Sequence, residues 1–81
     1  MTLQKAVQLC NTLKNKSLEL EDSDENRLRL KILDFFIDRD ISDDVFEEVL
    51  TIRINDPDPE KQQSKNICKE ILEAWKSRHL A

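Results

Sequence analysis

The chain has 81 residues, 37% of them charged and 38% hydrophobic, with 17 acids, 13 bases and no glycine. A length like this supports one modest core, burying roughly 60–65% of the unfolded surface, so a surface groove disturbs it less than a deep substrate cavity would. Zero glycine excludes a glycine-rich phosphate loop and disfavours tight β-hairpins, and a net charge of −4 argues against general nucleic-acid binding, which wants a basic field.

The Glu, Lys, Leu and Ile content predicts an all-α fold, a compact bundle of four main helices in a single domain over 1–81. In the first segment Leu3, Ala6, Val7, Cys10 and Leu13 recur at spacings of three and four, one apolar stripe on a helix with Thr2 as its N-cap. "NKSLELEDSD" breaks the pattern and reads as an acidic loop with Leu18 and Leu20 packed beneath it. "DENRLRLKILDFFIDRD" is the second helix. Its apolar arc is broad: Leu28, Ile32, Phe35 and Phe36 share a face that Leu30, Leu33 and Ile37 widen, which marks a central helix. Ser23 or Asp24 caps it, and the acids of its first turn suit the helix dipole.

The third helix is "ISDDVFEEVLTIRI". Ser42 is its N-cap, Ile41 and Phe46 stand at hydrophobic-staple spacing, and Asp43 and Asp44 fall in the favourable first turn. Val45, Phe46, Val49, Leu50 and Ile52 form its apolar face. "TIRIN", residues 51–55, fits either a helix end or a short extended piece. "NDPDPE" is the clearest punctuation, with Asp58 as cap and Pro59 at the first helical position. The fourth helix runs from there to about His79, with Ile67, Cys68, Ile71, Leu72, Trp75 and Leu80 as its apolar positions.

Trp75 is the only tryptophan, and the chain has no tyrosine. Standing in register with Ile67 and Ile71, it is expected to be buried, its indole N–H on a backbone carbonyl. Cys10 and Cys68 lie far apart without a CxxC motif and read as two reduced, buried thiols of an intracellular protein. No apolar run approaches a membrane span, and the start "MTLQKAVQLC" lacks a signal-peptide core.

Little in the chain suggests catalysis or a cofactor. Asp43, Asp44, Glu47 and Glu48 read as a solvated face rather than a metal site. "DSDEN" begins like a calcium loop but lacks the central glycine and the closing glutamate. His79, the only histidine, has no marked nucleophile to serve. The expectation is therefore no enzyme, no cofactor and no metal. Lys61, Lys65 and Lys69 repeat every four residues, with Lys76 one heptad after Lys69. This basic stripe is a solvated face or, more sharply, a docking track for an acidic peptide whose apolar side chains enter a neighbouring groove.

The run "SKNICKEILEAWKSR" resembles the last helix of the N-terminal domain of the transcription elongation factor TFIIS, also called the LW domain. Related domains occur in Elongin A, a Mediator subunit and other elongation-linked proteins. Leu72 and Trp75 match the leucine and tryptophan that name the family, and Lys76 follows them. "LRLKILDFFIDRDISDDVFEEV" is similar to the family's helix, turn and helix, with Ile41 and Ser42 at the cap. Ile54 and Asn55 match the end of the connector, and "LCNTLKNKS" resembles the first helix and its trailing lysines. The resemblance thus spans nearly the whole chain at low identity. It departs from the family in the connector, where "DPDPEKQ" replaces a longer basic stretch that commonly carries a glycine.

The resemblance implies a non-enzymatic, nuclear protein–protein interaction module of the transcription elongation or Mediator machinery, monomeric, without direct nucleic-acid or membrane binding. Partners would be short motifs mixing acidic and apolar residues. The implied partner-binding residues are Arg53, Ile54, Asn55, Lys61, Lys65 and Lys69, with Leu72 and Trp75 as core anchors. The alternative is a small acidic helical inhibitor or immunity-type protein that blocks a basic target through Asp22, Asp24, Asp43, Asp44, Glu47 and Glu48.

Overall fold

The four periodic segments form four α-helices: α1 (Lys5–Leu18), α2 (Asp24–Arg39), α3 (Asp43–Ile54) and α4 (Gln62–Leu80), with a 3-10 turn at Pro59–Lys61 ahead of α4. This is a computed structural model that describes residues 4–80, and side chains through residue 78. No strand occurs among the described residues, so the all-α class predicted from composition is the one observed. The chain divides into two compact units, Met1–Asp43 and Asp44–Ala81.

In the first unit α1 starts after Gln4, whose side chain forms no capping bond. The expected cap Thr2, and Leu3 with it, lie outside the described residues. One orphan donor of the first turn is met from far along the chain, the Ala6 N–H donating to the Asp43 carboxylate at 2.9 Å. Ala6, Leu9 and Cys10 are buried, while Val7 and Leu13 are half-buried.

Two expectations for the segment after Leu13 are corrected. Helix α1 continues through Leu18, and Leu18 and Leu20 are 62% and 58% exposed rather than packed beneath a loop. The reason is helical register. Ala6, Cys10, Leu13 and Ser17 follow one stripe at spacings of four, three and four, so the fully buried member of the last turn is Ser17. Leu18 is rotated off that stripe, and Leu20 falls beyond the helix.

Burying Ser17 requires polar partners, and Asn26 of α2 supplies them. The Ser17 hydroxyl donates to Asn26 Oδ1, and Asn26 Nδ2 donates to the Ser17 carbonyl at 2.9 Å. Arg29 adds a donor to the same Oδ1 at 3.1 Å. The Asn26 N–H donates to Ser23 Oγ at 3.1 Å, making Ser23 the N-cap of α2. Further along the pair of helices, Lys14 meets Asp34 at 2.7 Å.

Ile32, Leu33 and Phe36 form the buried face of α2; Leu28, Leu30, Phe35 and Ile37 are half-buried at its margins. The Arg39 guanidinium lies 4.2 Å from the centroid of the Phe35 ring, a cation–π contact. The helix ends at Asp40, in the left-handed region with φ 51° and ψ 48°. Glycine is the usual residue there because it has no Cβ to clash. The Gln4 carboxamide supports this turn, its N–H donating to the Asp40 carbonyl at 3.3 Å.

In the second unit, α3 buries Phe46 and Leu50. Ser42 directly precedes the helix, as its capping role predicts. The expected apolar face is narrower than the sequence suggests: Val45 is 43% and Ile52 62% exposed. Phe46 and Leu50 turn inward in this unit, leaving Val45 and Ile52 off the buried face of the helix. The "TIRIN" ambiguity resolves as helix through Ile54. Asp58 caps the next element by accepting from the Glu60 N–H at 3.0 Å, with Pro59 at the first position. That first turn is 3-10, and α-geometry begins at Gln62. Helix α4 buries Ile67, Cys68, Ile71 and Trp75.

Two substitutions test this account of the first unit. Asn26→Ala strands the buried Ser17 hydroxyl, while the Ser17 carbonyl keeps the Leu20 N–H, and should cost about 1–3 kcal/mol, read as a lower urea midpoint at unchanged m-value. Asp40→Gly removes the left-handed penalty and should raise stability by roughly 0.5–1 kcal/mol in the same measurement.

Candidate functional site

Every residue predicted to contact a partner, and both predicted anchors, belong to the second unit. Trp75 is 2% exposed, as its register with Ile67 and Ile71 predicts. Its ring meets Phe46 edge-to-face, centroids 5.2 Å apart and planes at 73°, the arrangement aromatic quadrupoles prefer. The indole N–H, expected on a backbone carbonyl, instead points at the Glu47 carboxylate, 3.4 Å from Oε2. The other named anchor, Leu72, is half-buried. Leu80 and His79 have side chains outside the described residues.

The cationic residues gather where α3 gives way to α4. Arg53 lies in the last turn of α3, half-buried. Its charge acts on the Cys68 thiol of α4, favouring thiolate, as does a hydrogen bond with Ser64. Burial outweighs both and holds the Cys68 pKa above the ordinary thiol value. Three residues past Arg53, the Asp56 N–H donates back to the Arg53 carbonyl at 3.3 Å. The Asp56 carboxylate accepts from the Asp58 N–H at 3.0 Å and pairs with Lys61 at 3.3 Å. Its pKa lies below the ordinary carboxylate value. The Asp58 amide is the main cause and partial desolvation opposes it, while Lys61 and then Lys65 add to the lowering.

Lys61 and Lys65 therefore act on a carboxylate that belongs to the chain itself, while the Arg53 charge acts on Cys68. Lys61 and Lys69 are exposed and Lys65 half-buried, one helical turn apart in succession. Lys76 is exposed farther along. Ile54 is half-buried at the end of α3, and Asn55 is exposed, its N–H donating to the Thr51 carbonyl at 3.1 Å.

Asp56 is the member of this group that the sequence reading missed. Its signal was present: an Asx residue accepting from the amide two positions on, in a proline-punctuated turn. The arrangement holds positive charges next to a turn.

The acidic residues have separate tasks. Asp43 accepts from Ala6 and Glu47 faces the indole; Asp44 and Glu48 are exposed. In "DSDEN", Asp22 takes a two-pronged bond from Arg27, both arms 2.9 Å, and Ser23 serves as the cap. Among the described residues no group of three His, Cys, Asp or Glu side chains is placed to hold a metal ion. No described helix is long and apolar enough to cross a membrane. Both cysteines are free and buried, and burial pushes the Cys10 pKa up to about 12. Compared with protein-family models, curated proteins and solved structures, the chain matches none.

The Asp56 geometry gives a pH prediction. Because its folded pKa is lowered, Asp56 contributes stability above the ordinary carboxylate range and loses it as pH falls through the lowered value. A Lys61→Ala, Lys65→Ala variant should titrate Asp56 at higher pH than the parent. The midpoint should still fall below an ordinary aspartate, because the Asp58 amide remains. The side-chain carboxyl carbon in an NMR titration reports both shifts.

Proposed function

We propose that the chain is a nuclear protein–protein interaction module of the transcription elongation machinery that docks short acidic and apolar motifs of its partners. The resemblance of its ordered helical segments to the TFIIS N-terminal domain supports the placement in elongation. One observation carries the docking mechanism: Lys61 and Lys65 act on Asp56 at the α3–α4 turn, Arg53 stands in the preceding turn of α3, and Lys69 continues the lysine row along α4.

In this mechanism Asp56 pre-positions the cations and limits their mutual repulsion. An incoming acidic side chain exchanges for Asp56 as the partner of Lys61, while Lys69 extends the attraction along the helix. The charges steer encounter and fix register. Apolar side chains of the motif supply the remaining affinity, with Ile54 at the helix end as one contact. Trp75 holds the α3 and α4 scaffold and takes no part in chemistry.

Reversing the four charges (Arg53→Glu, Lys61→Glu, Lys65→Glu, Lys69→Glu) should weaken partner binding at least about tenfold, roughly 1.4 kcal/mol, with helical circular dichroism unchanged. Partners are first captured from nuclear extract on the parent chain and then titrated individually at fixed salt. Unchanged affinity for captured elongation proteins in the reversed variant would remove the charge mechanism. Capture of none would remove the assignment to elongation.

A further inference from the structure

A second face of α3 has no part in the site above. Val45, Val49 and Ile52 follow one another at spacings of four and three, a single ridge on the helix. Val45 and Ile52 are exposed and Val49 is half-buried. At 1.5 Å per residue the ridge is about 10 Å long, two turns. Glu48 lies beside it and Asp44 one turn behind Glu48, both exposed. Burial of Phe46 and Leu50 on the opposite side fixes this orientation, so the ridge cannot turn inward without exposing the Phe46–Trp75 contact.

We infer that this ridge docks an amphipathic basic helix of a partner protein, through apolar residues at spacings of three and four with Lys or Arg beside them. Charge complementarity selects the occupant. A second copy laid ridge against ridge would bring Asp44 and Glu48 close to the same residues of its twin, and like charges across an interface are unfavourable. A polyanion or an anionic lipid surface meets the same repulsion. A helix is the matching shape because an i, i+4, i+7 ridge seats between the side-chain rows of another helix. This inference is independent of the lysine track: the two faces carry opposite charge and take opposite chemistry.

The test uses the full chain and two synthetic helical peptides of the same length. Both carry leucine at i, i+4 and i+7; one has lysine at the flanking positions and the other glutamate. In 15N-edited NMR titrations at low salt, the lysine peptide should bind saturably and shift amides across Asp44–Arg53, whereas the glutamate peptide should leave them in place. Ile52→Asp and Glu48→Lys should each weaken the lysine peptide about tenfold, while reversal of Lys61, Lys65 and Lys69 alone should not weaken it. Equal binding of both peptides, shifts centred on α4, or the absence of saturable binding would each overturn the inference.

Discussion

A chain without glycine must make every turn with residues that carry a side chain, and that constraint organises this structure. Each helix junction uses a short polar group to do what a bare backbone does elsewhere. Ser23 meets an open N–H at the start of α2. Asp40 takes the left-handed turn that ends the same helix. Asp56 and Asp58 each accept from the amide two residues on, closing the approach to α4. These solutions place acidic groups at corners, and at one corner the acid also organises the neighbouring cations. Turn chemistry and surface electrostatics are thus carried by the same atoms.

The interiors of the two units rest on different physics. The first combines Ile32, Leu33 and Phe36 with a buried polar lock, Ser17 and Asn26, whose hydrogen-bonding groups face one another. Such a lock adds little net energy when complete but is costly to leave half-made, so it fixes how α1 and α2 register. The second is held by an aromatic pair, Phe46 and Trp75, with Leu50, Ile67 and Ile71 also buried. Shape and ring geometry do there what directional hydrogen bonds do in the first.

Local chemistry was the most legible part of the sequence. The capping positions of Ser23, Ser42 and Asp58 could be placed from residue type and spacing because a cap depends on its next few neighbours. Trp75 could be placed inside because Ile67 and Ile71 share its stripe. What depended on the rest of the fold was harder to see. Leu9 and Ser17 are buried and Leu18 is not, because a stripe drifts as a helix lengthens and a polar residue can occupy it when a distant Asn26 is waiting. "TIRIN" alternates like a strand, yet Leu50 and Phe46 anchor it as helix. The lysine row on α4 was readable from its four-residue repeat. Its attachment to Asp56 required the turn to be built, and the Glu47 partner of Trp75 required α3 and α4 to be brought together.

The distribution of aromatic rings gives the molecule an unusual optical asymmetry. Trp75 is the sole indole in a chain without tyrosine, and it belongs to the second unit, against Phe46 and a carboxylate. The first unit has only Phe35 and Phe36. Intrinsic fluorescence therefore follows the second unit alone, while far-ultraviolet dichroism sums the helices of both. Whether the two signals melt together or apart measures directly how strongly one half of the chain depends on the other.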